Sequence, residues 1–186
     1  MDTIRVASFV GSLRRESINR RLACAVESLA PPHFVFEQVS IGNLPLYDQD
    51  FDGDYPPAAR HLKEQIEKAD ALLFVTPEYN RSIPGVLKNA LDLGSRPWGT
   101  NSFAGKPGAV IGASIGVIGS ALAQQHLRNV LSYLDVAVLP QPEVFIHFKQ
   151  DAPIDTDGHI ASDSTRQFLQ GFVDRYVAWV HRQLQA

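Results

Sequence analysis

The sequence of 186 residues holds a single cysteine, Cys24, which excludes an internal disulfide and a cysteine-based metal cluster. No apolar run approaches the ~18 residues a membrane-spanning helix needs. The opening residues, Met1-Asp2-Thr3-Ile4-Arg5-Val6, lack the basic flank and cleavage region of a secretion signal. An excess of one charge is also missing. Lys and Arg number 17 against 20 Asp and Glu, a net charge of −3, too balanced for the many phosphate contacts of nucleic-acid binding. The histidines (His33, His61, His126, His147, His159, His181) are scattered without metal-ligand spacing, so no metal site is expected. His126 is the one considered near an interface or the site. What is present, 45% hydrophobic and 20% charged residues, fits a globular chain. At roughly 100–200 residues per domain, one cytoplasmic domain over residues 1–186 is expected.

The small net charge is unevenly spread. Residues 1–21 carry Arg5, Arg14, Arg15, Arg20 and Arg21 against Asp2 and Glu16, while residues 47–55 carry Asp48, Asp50, Asp52 and Asp54. Apolar strand-like runs cover Thr3–Val10, Phe34–Ile41, Ala71–Thr76, Gly108–Ala113 and Val136–Leu139. Helical periods separate them: a stripe of Ile18, Leu22, Val26 and Leu29; a segment over Pro57–Lys68; a helix entered at Pro84 and ending near Gly94; one from Gly119 to about Leu134. A polar loop over Gln150–His159 precedes a closing helix with Phe168, Phe172, Tyr176, Val180 and Leu184 four apart. Strands apolar throughout and alternating with helices predict an α/β protein whose parallel sheet is covered on both faces. Five strands in this order fit a flavodoxin-like three-layer sandwich, spatial order 2-1-3-4-5.

Ligands of such sheets bind beyond the carboxyl ends of the strands where the order reverses, here between the first and third strands. The loops expected there are Gly11–Asn19 and Pro77–Ile83, with Ser114–Gly119 nearby. The first enters a helix N-terminus, where unpaired N–H groups and the helix dipole favour an anion. Ser12, Ser17 and Asn19 add donors and Arg14 and Arg15 add charge, a set suited to a phosphomonoester; the plain alternative is a helix cap with solvated arginines. The loop has neither G-x-G-x-x-G nor G-x-x-x-x-G-K-[ST] spacing, which argues against a dinucleotide pyrophosphate and a P-loop. It has no cysteine for thiol-phosphatase chemistry. In the second loop Tyr79 could cover a flat ring while Asn80 and backbone N–H groups meet its polar edge. The alternative is a turn stabilised by Asn80 and packed by Tyr79.

Together, G-S-L-R-x-x-S-x-N at Gly11–Asn19 and P-E-Y-N-x-S-x-P-G-x-L-K-N-A-x-D at Pro77–Asp92 resemble the NADPH-dependent FMN reductase family, which includes bacterial quinone, chromate and azo-dye reductases. The resemblance continues through Ser114–Gly119 and His126-Leu127-Arg128, covering roughly residues 4–145. It implies non-covalent FMN, with Ser12, Arg14, Ser17, Ile18 and Asn19 at the phosphate. Pro77, Glu78, Tyr79, Asn80 and Arg81 would lie at the isoalloxazine and ribityl, and Ser114 and Gly116 at the other edge of the ring. Arg81 stands where related chains often carry an aromatic or hydroxyl residue, adding charge beside the expected pocket mouth.

The implied activity passes a hydride from NADPH or NADH to flavin N5 and then on to a quinone, free flavin, azo dye or metal oxyanion by ping-pong kinetics. No protein side chain need act as a catalyst. A homodimer or homotetramer is implied, with contacts on the helices after Pro84 and Gly119. Two other readings stand beside it. One is a flavodoxin-like electron carrier, which the near-balanced charge and arginine-bearing loop argue against; the other is a regulatory binding module.

Overall fold

The computed structural model describes residues 2–148 and 153–185, so residues 150–152 of the expected polar loop lie outside the described residues. The elements follow in the expected alternation: β1 (Ile4–Val10), α1 (Ile18–Leu29), β2 (Phe34–Gln38), α2 (Pro57–Lys68), β3 (Ala71–Val75), α3 (Gly85–Ser95), β4 (Pro107–Ser114), α4 (Ala121–Tyr133), β5 (Ala137–Val138), β6 (Val144–His147) and α5 (Asp163–Leu184). A short 3-10 turn over Gln49–Gly53 interrupts the loop before α2. All strand pairings are parallel, in order β2-β1-β3-β4-β5, with β6 also paired to β4.

A sixth strand is added to the expected order. The last sheet position is filled twice: β5 pairs with the start of β4 at Pro107 and Gly108, and β6 with its end from Ile111 to Ser114. Pro140 and Pro142 lie between the two pieces, and a residue without an N–H cannot continue the ladder there.

The sheet has a hydrophobic layer on each face. Val6, Val10, Leu73 and Ile111 pack with Leu22 and Val26 of α1 and with Phe172 and Tyr176 of α5. On the opposite face Phe9, Phe74 and Val110 meet Leu62 and Ile66 of α2, Leu87 and Leu91 of α3, and Leu127 and Leu131 of α4. Phe9 and Phe74 stack at 5.0 Å between ring centroids, with Phe103 6.0 Å from Phe9. These layers are those of a flavodoxin-like three-layer sandwich. Its register puts Val10 beside Val75 and Val75 beside Ile111, so β1 and β3 finish level while β4 runs on to Ser114, and the three loops emerge at the same edge of the sheet.

Candidate functional site

The first loop leaves β1 at Gly11, whose N–H donates to Val75 O at 2.9 Å. A Cβ at Gly11 would come within 3.2 Å of Pro77 Cδ and Leu87 Cδ2, so glycine lets the first and second loops approach closely. Ser17 caps α1: its hydroxyl oxygen accepts from Arg20 N at 3.2 Å, leaving the O–H free to donate. Ile18 and Asn19 begin the helix, and their N–H groups have no acceptor within it. Ser12 and Ser17 are both buried. Glu16 draws Arg21 to 3.3 Å and Arg15 to 3.9 Å, whereas Arg14 forms no ion pair among the described residues. The loop therefore presents two hydroxyls, helix N–H groups and one free guanidinium, a donor set that matches a phosphate dianion.

Asn19 is used differently from the expectation. Its Oδ1 accepts from Ala113 N at 2.9 Å and its Nδ2 donates to Ala113 O at 3.0 Å, so the amide brackets the backbone of β4. That leaves its backbone N–H, in the first turn of α1, as its remaining donor. The side chain instead pins the first turn of α1 to the strand that carries the third loop.

The second loop is a tight hairpin. Tyr79 N donates to Ser82 O at 2.9 Å and Ser82 N returns to Tyr79 O at 3.0 Å. The residues between them, Asn80 and Arg81, have φ of +51° and +66°, as a type I′ turn requires. Tyr79 is 48% exposed, so about half of its surface is open to a ligand.

The Glu78 carboxylate is tied to α4 and to its own hairpin. Its Oε2 accepts from Leu122 N at 3.0 Å and Ala123 N at 3.2 Å, while Oε1 lies 3.6 Å from Arg81 Nη1. A carboxylate from the second loop thus caps α4. Ser82, which the sequence reading passed over, makes a second tie: its hydroxyl lies 3.1 Å from His126 Nδ1 on α4. The missing signal was in α4 itself. Its first turn has no acidic residue and its N-cap, Ser120, makes no side-chain cap bond, so the helix needs an acceptor from elsewhere.

The third loop follows β4. Ser114 Oγ accepts from Gly116 N at 3.1 Å. Between Ser114 and α4, Ile115 and Val117 are 79% and 81% exposed, an apolar rim beside the polar loops. A separate groove of about 570 Å³ between α3 and α4 starts at Ser82 and Ile83 and includes His126 and Val130. Among the described residues no group of three or more His, Cys, Asp or Glu is arranged to hold a metal ion. Nor is any helix there long and apolar enough to cross a membrane.

The class these features define is a flavodoxin-like α/β protein with a donor-lined helix N-terminus and a half-exposed tyrosine at its switch point, where such sheets take mononucleotides. The chain belongs to the NADPH-dependent FMN reductase family, whose profile matches residues 4–151. It is 57% identical over 177 residues to a 2-hydroxy-1,4-benzoquinone reductase of a Burkholderia species, covering 95% of this chain and 96% of that one. It is 44% identical over 182 residues to an NAD(P)H-dependent FMN reductase of Pseudomonas aeruginosa, covering 97% of each. A solved flavoenzyme NAD(P)H:(acceptor) oxidoreductase from Paracoccus denitrificans superposes with a TM-score of 0.93 at 44% identity, over 97% of this chain and 99% of that one.

Proposed function

We propose that this protein is an FMN-dependent NAD(P)H oxidoreductase whose acceptors are small molecules, with quinones as the main class. The net reaction is NAD(P)H plus quinone plus a proton, giving NAD(P)⁺ and hydroquinone. The observation that carries this reading is the donor set of the first loop beside the hairpin that bears Tyr79, the two loops brought together where Gly11 meets Pro77. The quinone reductase at 57% identity supports the acceptor class. Free flavin, azo dyes and metal oxyanions are the other acceptors the site would take.

Ser12, Ser17, Arg14 and the N–H groups of Ile18 and Asn19 hold the phosphate in this reading. The hairpin from Pro77 through Arg81 meets the ring and ribityl, with Tyr79 over the ring, and Ser114 and Gly116 flank its other edge. When bound, FMN accepts and delivers hydride at N5. Asn19 and Glu78 act as positioning residues: one ties α1 to β4 and the other ties the hairpin to α4, so three loops are held in one arrangement. Donor and acceptor binding in turn at this site would give ping-pong kinetics.

The visible spectrum of the pure protein tests the reading. A flavin band should bleach on anaerobic addition of NADPH and return on addition of a quinone. Bleaching without turnover on any quinone or dye would favour an electron carrier. A colourless protein that takes up no FMN would favour a flavin-free binding module. We also assign residues 1–186 to one cytoplasmic domain, paired into a dimer or tetramer through the α3 and α4 face, where Ile83 and Val130 line the groove. Sedimentation of the holoprotein measures the subunit number.

A further inference from the structure

The turn at Asn80 and Arg81 carries a side chain that its backbone does not favour. Positive φ suits asparagine, but the +66° of Arg81 is a conformation that glycine adopts most easily. The guanidinium stays largely in solvent, its side chain 64% exposed, with Nη1 3.6 Å from Glu78 Oε1. That separation is too long for a hydrogen bond, so the planar fork keeps its N–H donors for another acceptor. The other oxygen of Glu78 is already held by two N–H groups of α4. Beside this cation on the same hairpin stands Tyr79, an aromatic side chain about half exposed. A flat apolar molecule with a negatively charged oxygen at its edge would satisfy both features.

We propose that Arg81 determines acceptor specificity, selecting quinones that carry an ionised ring hydroxyl; this rests on the quinone-reductase reading above. A hydroxyl on a quinone ring is a vinylogous carboxylic acid, and its anion spreads charge over two oxygens. A guanidinium fork matches such a pair of oxygens as it matches a carboxylate. The 2′-phosphate of NADPH is the competing anion. A single arginine can also meet a 2′-phosphate, so the measurements below separate the two anions.

The test uses oxidised holoprotein of the wild type, Arg81→Gly and Arg81→Lys. Glycine suits a φ of +66°, so Arg81→Gly should fold at least as stably as the wild type. Dissociation constants for hydroxynaphthoquinone and for the neutral methylnaphthoquinone are read from the shift of the flavin band, without NAD(P)H. The hydroxy-to-methyl ratio should rise about tenfold in Arg81→Gly, equivalent to ~1.4 kcal/mol, and Arg81→Lys should recover part of it. The wild-type preference should vanish below the hydroxyquinone's own pKa. A ratio unchanged by Arg81→Gly, or undetectable hydroxynaphthoquinone binding to the wild type, overturns the proposal. So does a change confined to the NADPH-over-NADH ratio in steady state, which would assign Arg81 to the 2′-phosphate. If the wild type reduces neither quinone, the functional reading fails, while the binding ratio still judges Arg81.

Discussion

At the scale of single residues, Asn19 and Glu78 do structural work where ligand contacts were expected. Asn19 is 1% exposed, and removing its amide leaves the N–H and C=O of Ala113 without partners. Asn19→Ala should therefore cost about 2–4 kcal/mol, read as a lower denaturant midpoint even in the apoprotein. A purely ligand-binding asparagine would leave the apoprotein unaffected. Glu78→Gln keeps an acceptor oxygen for α4 and loses only the charge, about 0.3–1 kcal/mol at a helix N-terminus; Glu78→Ala loses the cap as well and should be the more damaging change by denaturation. Glu27 on α1 offers a pH handle. Burial pushes its carboxyl up, and the Ser8 hydroxyl offsets only part of this. A folded-state carboxyl with a raised pKa keeps its proton where the unfolded chain has lost it, so stability falls as pH rises from the ordinary carboxylate range through the raised value. Glu27→Gln should be more stable than the wild type near neutral pH, with the advantage shrinking in acid. The sequence made the chemistry of Asn19 and Glu78 visible but not their direction. An amide or carboxylate in a loop offers itself equally to a ligand and to a backbone, and only the fold, with β4 running two residues past its last pair with β3 to Ala113 and α4 set beside the hairpin, decides between them.

At the scale of elements, α2 coincides with the expected Pro57–Lys68, because a proline at the first helical position marks its start plainly. The stripe on α5 was legible only in its middle. Phe172, Tyr176 and Val180 are buried, but Phe168 and Leu184 at its ends are 45% and 48% exposed. Residues four apart advance about 40° around a helix with each step, so a row running from Phe168 to Leu184 turns away from the core at both ends. Gly94 shows a different ambiguity. A glycine near a helix end reads as a stop signal, yet Gly94 lies inside α3, and a Cβ there would sit 2.5 Å from Phe103 Cε2 and 2.8 Å from Ile66 Cδ1. Its role is to let α3 pack against a fully buried ring. Gly94→Ala sets a helix-propensity gain of up to ~1 kcal/mol against an overpacking cost of about 1–3 kcal/mol. With contacts this short the clash wins, and the melting temperature should fall.

At the scale of the whole molecule, one parallel sheet joins the two hydrophobic layers and also supports the loops that form the site. Ligand binding at those loops therefore stabilises the sheet rather than a detachable part. In thermal melts the apoprotein should unfold in one transition, and FMN should raise its midpoint. Saturation at a hundred times Kd corresponds to ~2.7 kcal/mol. Riboflavin has the same ring and ribityl without the phosphate, so it should give a distinctly smaller rise at equal concentration. Arg14→Ala should narrow that gap by lowering the FMN shift alone, and added salt should narrow it further, because an exposed guanidinium acts through a screened field. Equal shifts from FMN and riboflavin in the wild type would mean that the first loop is only a helix cap. A separate early transition that alone responds to FMN would mean that the loops fold apart from the sheet. A large FMN shift lost on removing a single surface arginine would tie the uneven charge of this nearly neutral chain to the binding of one phosphate.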